Sequence, residues 1–288
     1  AFARPEGGAL RTMAAFSTPL GLHDFVQFLS QKVELFVLAA FVTPAELGVY
    51  ALASELAVVI KKFRQIFDPI LIPMMSEAHE LQDKARQEAH IARVVRWVLV
   101  LGVFYLGAMA LFSRPVLGLF GAAFVGGAGV LVLLCVAQLL NSATGLLDTA
   151  MLVSGRPRIN LQNMSLVLVA QTGLNLWLVP LWGLAGAAWA ALTAYGTVSA
   201  VRLGQTLWIL RLNPFDRSHL KPLAAGAAAA AAIALLRRAL GPAPFPLAWV
   251  LLLAGFAALY ALALRGLGFA EEDADLLKFW LTSQWSSP

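Results

Sequence analysis

Long apolar runs alternate with short polar breaks along the chain. Apolar stretches of about 20 residues or more fall at roughly 16–42, 47–72, 94–113, 127–153, 161–181, 183–209, 222–240 and 246–265, and a helix of about that length spans the hydrocarbon of a bilayer. The runs are continuous rather than alternating in short units, which argues against membrane strands. The breaks are turn-formers: "TPAE" at 43–46, "SRP" at 113–115, "SGRPR" at 154–158, "PLWG" at 180–183, "NPFDRS" at 213–218 and "GPAPFP" at 241–246. The pattern predicts an all-α, polytopic membrane protein with about eight transmembrane helices.

The longest polar connection is "MMSEAHELQDKARQEAHIAR" at 74–93, where Glu80 and Lys84 stand four apart and predict a solvated helix. His79 and Glu80 lack a second His at zincin spacing, so no metal site is expected there. Pro69 and Pro73 remove backbone donors near the end of the second run, and helix termination is expected there rather than a working hinge.

Composition agrees with the pattern. Hydrophobic residues make up 60% of the chain and charged residues 13%, against about a quarter charged in a soluble domain. The net charge of +5 is not gathered on a soluble face, so no nucleic-acid partner is expected. The single Cys135 excludes a disulfide framework or thiolate metal site. No cleavable signal peptide is visible, and "AFARPEGGALRT" reads as an interior loop, the expectation for a fragment. Of the cations outside the runs, one alternate set of breaks holds Arg4, Arg11, Lys84, Arg86, Arg93, Arg96, Arg156, Arg158, Arg211, Arg217, Lys221, Arg265 and Lys278. The other set holds Arg114, Arg237 and Arg238. The positive-inside rule then places both ends of the chain in the cytoplasm, with Arg237 and Arg238 a local exception.

The candidate chemistry lies inside the apolar runs. At 100° per residue, Lys61, Arg64, Gln65 and Asp68 share one face of the second run, bordered by Lys62 and Glu55. A cation facing lipid costs about 3 kcal/mol on insertion scales, so these must face protein or water. In the first run His23, Gln27, Ser30, Gln31 and Glu34 share a face, with Asp24 at its edge and Lys32 on the far side. Gln138, Asn141, Ser142 and Thr149 line the fourth run, with Asp148 nearer its edge. Asn160, Asn163, Gln171 and Asn175 line the fifth. One such stripe serves as glue between helices, but four together point to a hydrated cavity. Lys61 or Arg64 paired with Glu34, Glu55 or Asp68 for structure alone is the other reading. The excess of cations on the second run suits an anionic cargo such as a phosphate or diphosphate headgroup. Gly186, Ala190 and Ala194 form a smooth ridge for a neighbouring helix, and "FVGGAGVL" at 124–131 lacks the context of a nucleotide loop.

The segments "KVELFVLAAFVTPAELGVYALASELAVVI", "FDPILIPMMSE", "GLLDTAMLVSGRPRINLQNM" and "LNLWLVPLWGLAGAAWAALTAYG" resemble the oligosaccharide flippase (polysaccharide biosynthesis protein) family of the multidrug/oligosaccharidyl-lipid/polysaccharide exporter superfamily. The resemblance covers roughly residues 20–210 and implies a MATE-like fold. Residues 1–15 would be a cytoplasmic loop between bundles, and 16–210 the second six-helix bundle, family helices seven to twelve. Residues 211–265 would form two additional transmembrane helices and 266–288 a cytoplasmic tail, while the N-terminal six-helix bundle is the missing partner.

The implied activity is translocation of undecaprenyl-diphosphate-linked oligosaccharide across a bacterial inner membrane by alternating access. Its partners would be that lipid-linked substrate and membrane lipids, without cofactor or metal. Lys61, Lys62 and Arg64 suit the diphosphate by their chemistry, though no family ligand motif fixes them. Glu34 occupies the acidic position of the seventh family helix and either couples to ions or balances Lys61, as Asp68 and Glu55 do. A cation-coupled multidrug exporter of the same superfamily is the alternative. A membrane enzyme acting on lipid-linked sugars would need a grouped base or nucleophile. His79, His90 and His219 lie in polar connections with no Ser/His/Asp set, so the chain is read as a non-enzyme.

Overall fold

A computed structural model describes residues 7–240 and 246–268, with side chains described from Ser17 onward except at Gln31, Leu240, Pro246 and Leu247. Among the described residues the chain is helical and holds no strand. The helices are α1 (Gly7–Phe41), α2 (Pro44–Glu80), α3 (Lys84–Gly118), α4 (Ala128–Val153), α5 (Pro157–Gln205), α6 (Leu220–Leu240) and α7 (Pro246–Gly266). A 3-10 stretch, Ala122–Gly127, leads into α4, and a π-helical turn, Thr206–Leu210, closes α5.

Helix α5 folds back on itself at Gly183, whose φ of 54° and ψ of −132° no side-chain-bearing residue adopts readily. Its two limbs are the fifth and sixth sequence runs, so eight apolar runs become eight helical segments. Close approach at this hairpin requires a second glycine, since a Cβ on Gly186 would overlap the Leu178 carbonyl. The predicted ridge is real: Ala190 and Ala194 are buried behind it.

Five helical stretches, Lys84–Gly118, Ala122–Val153, Pro157–Leu210, Arg217–Ala239 and Ala248–Gly266, are long and apolar enough to cross a membrane. Helices α1 and α2 are not among them, and these two carry the ionisable stripes read from the sequence.

The loops follow local chemistry. Thr43 caps α2: its hydroxyl accepts from Glu46 N at 3.3 Å, and the Glu46 carboxylate accepts from Thr43 N at 2.8 Å, with Pro44 in the first turn. Asp83 caps α3 by accepting from Arg86 N at 2.9 Å.

Several boundaries differ from expectation, among them the "SRP" break, through which α3 continues to Gly118. Residues 7–15, read as loop, are the first turns of α1, while 1–6 lie outside the described residues. The 74–93 connection is not a separate helix: α2 runs through Pro69 and Pro73 to Glu80, and α3 starts at Lys84. Glu80 and Lys84 therefore sit on different helices, and the ion pair across the turn is Arg86 with Glu77 at 3.0 Å. Helix α7 ends at Gly266 as expected, and the tail at 269–288 lies outside the described residues.

A continuous apolar core runs through α2, α3 and α4, with Ile60, Leu71, Met75, Ile91, Val98, Leu131 and Leu146 fully buried. Helices α6 and α7 pack on the opposite side of α3. There Phe104, Phe256 and Tyr260 stack at 5.5 to 6.2 Å between centroids, and Tyr260 donates to the Val100 carbonyl at 3.0 Å. Gly107 leaves the room that the Phe256 ring fills. Helix α1 packs on α5 and α2 packs on α4, whereas α1 and α2 touch little. That seam is where the polar residues collect.

Candidate functional site

Four helices converge on a cavity of about 180 Å³. Helix α1 supplies His23, Gln27, Ser30, Lys32 and Glu34; α2 supplies Ser54, Glu55, Lys61 and Arg64; α4 supplies Gln138, Asn141, Gly145 and Asp148; α5 supplies Tyr195 and Arg202. Apolar side chains such as Leu35, Val58, Met164 and Val167 complete the wall.

The charged groups differ in what already holds them. Arg202 is buried, with its Nε 3.0 Å from Asp148 Oδ1, its Nη2 2.7 Å from Oδ2, and its Nη1 donating to Asn141 Oδ1 at 2.8 Å. Each of its three nitrogens thus has an oxygen partner. Arg64 donates to the Gly145 carbonyl at 3.2 Å and stands 3.8 Å from Asp68. It lies flat on α4 because Gly145 has no Cβ; an added one would stand 3.3 Å from Nη1. Lys61 makes no ion pair with a carboxylate among the described residues and is half-buried at the wall. Glu34 accepts from the Tyr50 hydroxyl, with Gln171 a further hydrogen-bond partner. Among the described residues no His, Cys, Asp and Glu side chains gather as a metal site.

The sequence-derived set is thus partly brought together. Lys61, Arg64, Glu34, Glu55, His23, Gln27, Gln138 and Asn141 line one cavity. Lys62 is exposed and lines no part of it, because the packing of α2 on α4 turns that border position outward. Gln65 is likewise exposed. Asp68 stands behind Arg64 rather than at the wall. Asn163 is buried in a reciprocal amide pair with Gln205 at 2.8 and 2.9 Å, which ties the two limbs of α5 together. Asn175 is fully buried away from the cavity, and its side-chain amide has no hydrogen-bond partner among the described residues. The Gln31 side chain lies outside the described residues.

Residues 4–127 match the family model described as polysaccharide biosynthesis protein, a span that includes Lys61, Arg64 and Glu34. Among solved structures, an outward-facing MATE multidrug-resistance transporter of the MOP superfamily matches with a TM-score of 0.57. Its identity is 15%, over 90% of this chain and 66% of that one. A MOP-superfamily transporter from Pyrococcus furiosus matches with a TM-score of 0.55 and 15% identity, over 92% of this chain and 67% of its own. The chain has the fold of a MOP-superfamily transporter. The fold agrees with the MATE-like expectation from the sequence, and the family model matches over residues 4–127. The P. furiosus protein is described as having a binding pocket of reversed polarity that suggests a different function. No curated protein matches this chain, and it spans about two thirds of the solved transporters' length.

Within this MOP-type bundle, the sequence reading missed Lys32, Arg202 and Tyr195 at the cavity and left Asp148 at the edge of its stripe. Lys32 lines the cavity and is exposed, with Nζ 5.6 Å from the Phe28 ring centre. A regular helical wheel sets Lys32 opposite the polar stripe of α1, and its long side chain reaches the cavity nonetheless. Asp148 and Arg202 stand 54 positions apart. The signal available was their shared cost: two ionisable groups inside apolar runs, each needing a partner of opposite sign. Tyr195 gave no signal as a lone aromatic in an alanine-rich limb.

Proposed function

We propose that the chain is part of a flippase that moves an undecaprenyl-diphosphate-linked oligosaccharide across a bacterial inner membrane by alternating access. In this reading both ends of the chain are cytoplasmic, and the cavity faces a first six-helix bundle. The observation that carries it is the state of Lys61 and Arg64. Both line the cavity, Lys61 makes no ion pair among the described residues, and Arg202 already neutralises Asp148. Positive charge at the wall without an ion pair among the described residues lies with Lys61 on α2 and Lys32 on α1, and Lys61 with Arg64 would give a diphosphate charge-assisted hydrogen bonds. The match of residues 4–127 to polysaccharide biosynthesis proteins supports the same cargo class. Glu34 and Glu55 are assigned to coupling or charge balance, and Asp68 to holding Arg64.

Export of surface glycan by cells whose own flippase is deleted tests this. Lys61→Gln with Arg64→Gln abolishes export while the protein still inserts, and Lys62→Gln exports normally. Normal export by the double variant at matched abundance overturns the cargo role. The second reading, export of cationic drugs, is favoured by the presence of Glu34 and Glu55 in the same wall. It predicts efflux of a cationic dye that Glu34→Gln abolishes and Lys61→Gln leaves intact.

A further inference from the structure

Arg237 breaks the charge pattern of the loops, and its contacts supply a reason. Its Nη1 donates to the backbone carbonyl of Leu111 on α3. Leu111 stands four residues before Pro115, which lies inside α3. In an uninterrupted helix the N–H of residue 115 would donate to that carbonyl, and proline has none to give. The carbonyl is thus orphaned by the sequence of α3 itself, at a partly buried position near the end of the helix. The guanidinium takes the place of the missing donor. It also lies over the Trp249 ring of α7 at 4.8 Å and near the Phe112 ring of α3 at 6.0 Å. One side chain on α6 therefore touches both α3 and α7 at the same level. The next residue, Arg238, is exposed, as is Arg114.

We infer that Arg237 is a latch: it substitutes for the backbone donor removed by Pro115 and so clamps the α6–α7 pair to the last turns of α3. The break and its repair come from two helices 126 positions apart, so neither has a reason without the other. In this reading Arg237 acts through its donor and its planar face, not as a topological signal. The apolar faces of α6 and α7 pack on α3 elsewhere through Phe256, Tyr260 and Gly226. The latch fixes the end of that interface nearest the turn into α4.

The test is a double-mutant cycle on the full chain purified in detergent, read by melting temperature. Arg237→Gln lowers the midpoint by about 4 °C, the order expected for one unsatisfied, partly buried acceptor in a protein of this size. Pro115→Ala restores an N–H at residue 115, so Arg237→Gln made in the Pro115→Ala background lowers the midpoint by less than half as much as it does in the unaltered protein. An effect more than half as large in that background, or an Arg237→Gln midpoint equal to that of the unaltered protein, overturns the latch. Should Arg237→Gln fail to accumulate, accumulation is itself the readout. Pro115→Ala rescues it if the orphan carbonyl is the cause, and a double variant that still fails to accumulate overturns the proposal. Arg237→Lys keeps a donor without the planar face, so its midpoint falls between those of Arg237 and Arg237→Gln.

Discussion

Arg202 and Asp148 meet by two contacts, 2.7 and 3.0 Å, across the interface of α4 and α5 at the edge of the cavity. With Asn141 bound to the same guanidinium, the pair is closed to a cargo. Removing one member leaves the other buried and unbalanced, which costs about 3–5 kcal/mol. Asp148→Asn should therefore lower the melting temperature sharply, and adding Arg202→Met should recover most of the loss. Equal melting of the single variant and the unaltered protein would show that the pair carries no such weight.

Two glycines on α5 separate packing from propensity. Gly186→Ala drives a methyl into the Leu178 carbonyl and destabilises by about 2 kcal/mol or more. Gly173→Ala meets nothing within 4 Å and stabilises by about 0.5–1 kcal/mol through the lower helix cost of alanine. Thermal unfolding in detergent ranks the two on either side of the unaltered protein.

Tyr50 is fully buried, and its hydroxyl has Glu34 as its partner. Tyr50→Phe removes one donor from the carboxylate and costs about 1–3 kcal/mol. Glu34→Gln keeps an acceptor for Tyr50 and so costs less stability, while any loss of transport from it isolates the need for a charge. Paired melting and transport measurements on the two variants separate these roles.

Thr43 holds the start of α2 through its reciprocal bond with Glu46. Thr43→Ala should destabilise by about 1 kcal/mol without altering cavity function. Since Lys61 and Arg64 lie further along the same helix, intact transport with reduced thermal stability is the expected combination.

The number and order of helices were legible because apolar length and turn chemistry are local properties. "TPAE" works as a break and also contains the capping box, and "PLWG" holds the glycine on which α5 reverses. Helix ends were less legible, since α1, α2 and α3 continue beyond their apolar parts on polar residues whose helicity hydropathy does not register. Pro69 and Pro73 show this: α2 passes through both.

The cavity was legible as a set of polar stripes but not as a list. A helical wheel states which residues share a face, while the packing of neighbours decides where that face ends. Lys62 stood at such a border and turns outward, while Lys32, expected on the far side of α1, lines the cavity. The pairing of Arg202 with Asp148 and of Arg237 with Leu111 needed tertiary structure, since nothing local joins residues so far apart.

Affinity of the purified protein for a polyprenyl-diphosphate-linked sugar is the most direct measure of the central claim. Arg64→Gln with Lys61→Gln should weaken binding by tenfold or more, about 1.4 kcal/mol or greater, while Lys62→Gln binds as the unaltered protein does. Unchanged affinity in the double variant, or an equal loss from Lys62→Gln, would contradict the assignment of the cavity to an anionic headgroup.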